Sequence, residues 1–67
     1  MPKGTVKFFH TEKGYGYIAP DGGERDIFFD NSQVETPNHQ IMEGQRVEYQ
    51  TTLGRKGPEA IKIKTIS

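Results

Sequence analysis

Polar and apolar side chains alternate through the stretch 13–18, which reads KGYGYI. Successive side chains of a strand point to opposite faces, so Lys13, Tyr15 and Tyr17 share one face while Ile18 lies on the other. Burying the first face would bury an unpaired ammonium group and leave Ile18 in water, which is costly. The pattern therefore predicts a strand whose two tyrosines point towards solvent.

The same alternation returns in 25–30, where a third strand is predicted. Asp26 and Asp30 lie on either side of Phe28 on one face, and Phe29 lies on the opposite face. Two carboxylates mark the Phe28 face as the solvated one. The alternative is that these aromatic residues belong to an ordinary core, and their charged neighbours weigh against it.

The first predicted strand, Lys3–His10, contains two adjacent phenylalanines that cannot both face the core. Strict alternation places Phe8 inside and Phe9 outside, whereas a β-bulge near Phe8 would reverse the two. Periodicity alone leaves both arrangements open. The turn residues 11–14 join this strand to the next as a hairpin.

The stretch 31–43 lacks strand periodicity and predicts one short 3₁₀ or helical turn. Residues 32–35 resemble a capping box, and Pro37 stops any helix after about one turn. A loop through 38–40 should follow, with Val34 and Ile41 as apolar anchors.

Two more strands are predicted in the remainder of the chain, separated by the basic loop 54–58. In the last strand, Ile61 and Ile63 should face inward. The fourth strand should face inward at four alternate positions: Val47, Tyr49, Thr51 and Leu53. Five strands without a long helix predict an all-β fold, a small closed or nearly closed antiparallel barrel.

Composition limits the partners that such a barrel could bind. The 67 residues predict one domain, 1–67, and their zero net charge argues against charge-driven binding to a duplex. Stacking on single strands is not excluded, because every base has an aromatic face. With no cysteine, no signal peptide and no membrane-spanning segment, the cytoplasm is the expected compartment. A monomer is expected.

Catalysis finds little support in the sequence. The spacing of His10, Asp30 and His39 matches no metal-ligand motif. Asp26 and Asp30 would lie roughly 13 Å apart along a strand, too far to act on one bond. We expect no enzyme activity, no metal, no cofactor and no small-molecule substrate.

Five separated motifs resemble those of a known family, and they lie at 4–9, 12–18, 26–29, 43–47 and 56–60. In order and spacing they resemble the cold-shock domain family, the bacterial-type single-domain cold-shock proteins, over essentially the whole chain. The resemblance implies a five-stranded antiparallel OB-type Greek-key barrel. It also implies two ribonucleoprotein-like motifs on neighbouring strands, at 13–18 and 27–30.

The resemblance further implies which residues bind nucleic acid. Bases would stack on four rings: Phe8, Tyr15, Tyr17 and Phe28. Basic contacts would come from three lysines: Lys7, Lys13 and Lys56. Asp26 matches a polar position that could accept a hydrogen bond from a base. The resemblance also favours Phe8 outside and Phe9 inside, which requires the bulge.

The chain departs from the family pattern at several of these positions. Phe8 stands where tryptophan is usual, and Asp30-Asn31 stands where histidine and phenylalanine are common. Asp30 thus places a carboxylate near the expected phosphate path. His10 replaces an asparagine, and His39 is the candidate substitute for a missing loop aromatic. These departures predict weaker binding or a shifted base preference.

The sequence therefore predicts a protein that binds single-stranded RNA and DNA, with a role as an RNA chaperone in stress response or as a regulator of transcription or translation. The alternative is a barrel-type protein-interaction module whose aromatic patch binds a protein partner. Lysines beside the rings, Lys13 and Lys56, favour nucleic acid. No membrane association is expected.

Overall fold

A computed structural model describes residues 1–66 and contains five β-strands and two 3₁₀ turns. The strands are β1 (Lys3–His10), β2 (Tyr15–Pro20), β3 (Ile27–Asp30), β4 (Arg46–Gly54) and β5 (Gly57–Thr65). The 3₁₀ turns are Asn31–Gln33 and Pro37–His39. The all-β prediction is confirmed. Within these residues no helix is long and apolar enough to cross a membrane.

The strands close into a barrel in the order β1-β2-β3-β5-β4. Strands β1, β2 and β3 form an antiparallel meander, and β4 pairs antiparallel with both β1 and β5. The contact between β3 and β5 is parallel, with Phe28 opposite Glu59. A closed ring of five strands cannot alternate direction throughout, so one parallel pair is unavoidable. The predicted barrel is confirmed, with this one exception to antiparallel pairing.

The core lies inside the barrel and contains the predicted anchors Val34 and Ile41. Phe9 packs against it, and its ring stacks on that of Phe29 with centroids 5.9 Å apart. The buried hydrophobic residues are Val6, Ile18, Phe29, Val34, Ile41, Val47, Tyr49, Ala60 and Ile63.

A β-bulge in β1 decides the orientation of the two adjacent phenylalanines. Val6 pairs with Ile18, yet Phe8 pairs with Tyr17, so β1 carries one extra residue at this point. The alternation reverses there. Phe8 is consequently exposed and Phe9 packs against the core, as the bulged arrangement requires.

Strand β1 has the predicted bounds, whereas β2 and β3 begin two residues later than predicted. Strand β2 begins at Tyr15 rather than Lys13, because Gly14 adopts a positive φ of 72° within the turn. It continues to Pro20, which sits at the strand end, where proline is tolerated. Strand β3 begins at Ile27 rather than Arg25.

The predicted inward positions fail in the outer part of the β4–β5 hairpin. Thr51 and Leu53 are exposed, because the register shifts after Glu48 and this part of the hairpin extends beyond the core. In β5, Ile63 is buried but Ile61 is only half-buried. Lys62 between them has a positive φ of 50°, which interrupts the alternation.

The first 3₁₀ turn is capped by Asp30 and not by the predicted Ser32. The backbone N–H and the hydroxyl of Ser32 both donate to Asp30 Oδ2, over 2.9 and 2.6 Å. The second turn, Pro37–His39, occupies most of the predicted loop. Pro37 is its first residue, and a proline suits that position because its missing N–H would have no helical acceptor.

Candidate nucleic-acid interface

Cross-strand pairing places three rings in a row on the outer face of the meander. Phe8 lies opposite Tyr17, and Tyr17 lies opposite Phe28. The centroids of neighbouring rings are 6.5 and 5.9 Å apart. Phe8 and Tyr17 each keep 38% of their surface exposed, and Phe28 is half-buried. The predicted outward orientation of these rings is confirmed.

A second row runs beside the first, from His10 to Tyr15 to Asp30. The His10 and Tyr15 rings are 5.7 Å apart and inclined by 17°. Tyr15 is 5.9 Å from Phe28 with an inclination of 23°. We call the five rings the aromatic platform, which consists of Phe8, His10, Tyr15, Tyr17 and Phe28. Every member contacts at least two others.

A concavity of about 460 Å³ adjoins the aromatic platform and brings three charged residues together. Lys13 comes from the turn between β1 and β2, Lys56 from the turn between β4 and β5, and Asp30 from the end of β3. The remaining lining is aromatic: Tyr15, Tyr17 and Phe28. Two ammonium groups outnumber one carboxylate, so the concavity favours an anion beside an aromatic face.

Asp30 is an ionised carboxylate at neutral pH with one oxygen already engaged. The hydrogen bonds from the Ser32 hydroxyl and then from its backbone N–H lower the pKa of Asp30, outweighing the small effect of burial. The side chain therefore has a structural function as a turn cap. It also places a negative charge in the concavity.

Lys7 and Asp26 form an ion pair, with 3.0 Å between Lys7 Nζ and Asp26 Oδ2. Their side chains remain 64% and 35% exposed. Exposed pairs of this kind contribute only about 0–1 kcal/mol. The pair can therefore open when a phosphate or a base approaches either member.

His39 lies apart from the residues of the first concavity. It lines a second concavity of about 540 Å³, together with Phe9, Asn31 and Ile41 among others. Its Nδ1 lies 2.7 Å from the carbonyl oxygen of Val34, to which it donates. His39 remains a predicted contact.

Seven of the ten predicted site residues thus meet at the platform or its concavity: Phe8, Lys13, Tyr15, Tyr17, Phe28, Asp30 and Lys56. His10 also belongs to the platform, although it is not among the ten predicted site residues. Once a bulge is placed at Phe8, His10 follows two residues later and shares its face, so the bulge was the available signal.

No group of three or more histidine, cysteine, aspartate or glutamate side chains is placed to hold a metal ion within residues 1–66. The platform instead combines flat apolar faces with a few charged side chains. Such a surface can stack bases and contact phosphates.

A closed five-stranded barrel with rings on its β1–β3 face is an OB-type barrel. The chain belongs to the 'Cold-shock' DNA-binding domain family, whose model matches residues 2–66. Probable cold shock protein A of Mycolicibacterium smegmatis is 40% identical, over 98% of this chain and all of the relative. Cold shock-like protein CspA of Bordetella pertussis is 42% identical over the same shares.

Cold shock-like protein CspE of Escherichia coli is 44% identical, over 91% of this chain and 90% of the relative. Among solved structures, Drosophila Unr CSD456 matches 98% of this chain with a TM-score of 0.84 and 21% identity. This chain covers 26% of that longer one. The structural likeness therefore supports the fold, and the match to a DNA-binding family together with the bacterial cold-shock relatives supports a nucleic-acid-binding cold-shock protein.

Proposed function

We propose that this protein binds single-stranded RNA and DNA without catalysing a reaction, and that bases stack in succession on Phe28, Tyr17, Phe8 and Tyr15. The observation that carries the proposal is the contiguity of the aromatic platform. Each of these rings lies within 6.5 Å of another, centroid to centroid, on one solvated face. Membership of a DNA-binding family supports the same conclusion.

The energetics favour stacking over charge as the main source of affinity. Stacking of a base on a protein ring contributes about 1–3 kcal/mol. The basic contacts number three, namely Lys7, Lys13 and Lys56, and Lys7 must first leave Asp26. For a single strand, each phosphate contact steepens the plot of log K against log salt concentration by about 0.7. Three contacts should therefore give a slope of no more than about 2 in magnitude.

Binding of this kind competes with base pairing, because a stacked base is withdrawn from its own duplex. A single 1–67 domain working as a cytoplasmic monomer could thereby keep RNA unfolded without ATP. We propose an RNA-chaperone role, in cold adaptation or in control of transcription and translation.

The test is a titration of heptathymidine against the wild-type protein and Tyr17→Ala, followed by quenching of tyrosine fluorescence and by a labelled strand. Tyr17→Ala should bind at least about fivefold more weakly, because one stacking ring is lost. Leu53→Ala is the control, since Leu53 is an exposed apolar residue that belongs neither to the aromatic platform nor to the lining of its concavity. It should bind like the wild type.

Two salt concentrations complete the experiment. A plot of log K against log salt concentration with a slope well above about 2 in magnitude would contradict stacking with few phosphate contacts. Failure of the wild type to bind any single strand would overturn the proposal. The aromatic platform would then be better explained as a surface for a protein partner.

A further inference from the structure

His10 occupies a place in the aromatic platform that the proposed stacking order leaves unused. Phe28, Tyr15 and His10 form a series of nearly parallel rings, with inclinations of 23° and 17° between neighbours. A fourth ring, Phe8, meets His10 edge-on at a centroid distance of 6.4 Å. The series runs across β3, β2 and β1, and His10 lies 5.7 Å from Tyr15, so a strand that reaches Tyr15, the last ring of the proposed order, meets His10 next.

Two hydrogen bonds to the following turn hold His10 in position. Its backbone carbonyl accepts from the N–H of Gly14 over 2.8 Å. Its ring Nδ1 accepts from the backbone N–H of Lys13 over 3.1 Å. An imidazole nitrogen that accepts a hydrogen bond carries no proton, so the neutral ring has its proton on Nε2.

The Nε2–H group is a free donor on the platform. Among residues 1–66 no hydrogen bond to His10 Nε2 is formed, and the side chain is half-buried. A ring fixed at one nitrogen and free at the other presents a flat face and a directed donor together. A nucleotide offers the matching pair of features, an aromatic base and oxygen acceptors.

We propose that His10 is a nucleic-acid-binding residue of this protein, resting on the proposed function. Its ring supports a base next to the one on Tyr15, and its Nε2–H donates to an oxygen of the same strand. The acceptor is either a base carbonyl or a phosphate oxygen. A neutral donor adds a directional contact without adding a charge.

The competing explanation is that His10 only holds the β1–β2 turn. His10→Asn separates the two, because the asparagine Oδ1 can accept from the Lys13 N–H near the position of Nδ1, while the ring is lost. The asparagine Nδ2–H₂ then lies where the histidine has its ring carbon Cδ2, so no donor remains at the position of Nε2. His10→Phe makes the complementary change, since it keeps a ring and removes both nitrogens. Unfolding in urea checks that each variant is folded.

The experiment titrates heptathymidine against the wild type, His10→Asn, His10→Phe and Tyr17→Ala. His10→Asn should bind about fivefold more weakly, at the low end of what loss of a stacking ring costs. His10→Phe should lie between His10→Asn and the wild type. If His10→Asn binds as tightly as the wild type while Tyr17→Ala binds more weakly, the role of His10 is overturned and the proposed function stands. No binding by the wild type would overturn both.

Replacing heptathymidine by heptadeoxyadenosine identifies the acceptor, because adenine has no carbonyl oxygen. A loss in His10→Phe that occurs only with thymidine assigns the Nε2–H to a base carbonyl. An equal loss with both strands, which disappears when the thymidine strand carries neutral methylphosphonate linkages, assigns it to a phosphate, because adenine still offers ring nitrogens as acceptors.

A measurement on the unmutated protein guards against a folding defect in the variants. The side-chain nitrogen and proton resonances of His10 should shift during the titration, with the same midpoint as binding. Resonances that stay unchanged at saturation would overturn the proposal.

Discussion

The outer face of the meander and the outer part of the β4–β5 hairpin are both exposed, yet they differ in what they display. The meander carries five rings whose neighbouring centroids lie 5.7 to 6.5 Å apart. The hairpin carries exposed polar residues and one large hydrophobic side chain, Leu53, which is 84% exposed. A single exposed leucine is ordinary, whereas contiguous exposed rings mark a binding surface.

The two regions also differ in what lies beneath them. Under the meander, Ile18 and Phe29 are completely buried. Gly16 lets the Phe29 ring pack directly on β2, since a Cβ at Gly16 would come within 2.8 Å of that ring. The outer rings are therefore held by a well-packed inner layer. The hairpin between Gln50 and Gly54 has no buried residue.

The largest expected effect tests the difference between the buried layer beneath the meander and the absence of buried residues in the outer part of β4. Phe29→Ala should lower the free energy of unfolding by about 3–5 kcal/mol, because it leaves a cavity in the core. Leu53→Ala should change it by no more than about 0.5 kcal/mol, since Leu53 is surrounded by solvent. Urea unfolding measures both. Similar losses for the two variants would contradict the contrast between the regions.

The next effect concerns charge at the platform. Asp30→His should tighten binding to a pyrimidine-rich single strand, because it removes a carboxylate from the concavity and adds a ring. A unit charge about 7 Å from a phosphate in water costs roughly 0.6 kcal/mol, about threefold in affinity, and stacking adds to this gain. The fluorescence titration measures it.

Asp30→Asn is the matched control for that substitution. Asparagine caps a turn about as well as aspartate, so the variant removes the charge and keeps the cap. It should bind more tightly by the electrostatic part alone, about threefold at low salt. Unchanged or weaker binding by Asp30→His would show that the carboxylate does not oppose the strand.

Much of this contrast could be predicted from the sequence, because the alternation of polar and apolar residues indicates which face of a strand is exposed to solvent. It placed Tyr15, Tyr17 and Phe28 outside. It failed at Thr51 and Leu53, since periodicity is local and does not reveal where the core beneath a strand ends. The five strands and their closure followed from turn residues, with β1 predicted at its observed bounds and the ends of β2 and the start of β3 in error by two positions.

Other features depend on pairing between strands, which periodicity does not specify. A bulge in β1 decides that Phe8 faces outward and Phe9 inward, and His10 joins the platform only because of the same shift in register. The ion pair between Lys7 and Asp26 links β1 to the residue before β3. Each depends on contacts between residues far apart in the chain.

The smallest effect distinguishes a tyrosine inside the barrel from one outside. Tyr49 is buried, and burial, followed by the charges of Glu24 and Asp21, raises its pKa. In the unfolded chain a tyrosine ionises near pH 10, before the buried one does. The contribution of protonated Tyr49 to the free energy of unfolding is therefore fully present below about pH 10 and is lost as the pH rises through the higher pKa of the folded state.

Tyr49→Phe should consequently lose less stability between pH 9 and 11 than the wild type, as measured by urea unfolding at each pH. Tyr17→Phe removes the same hydroxyl from the exposed platform and is the control for the general effects of alkali. Its stability should fall with pH in parallel with the wild type. Parallel curves for all three proteins would show that ionisation of Tyr49 is not coupled to folding, and the barrel interior would then differ less from its outer face than its burial indicates.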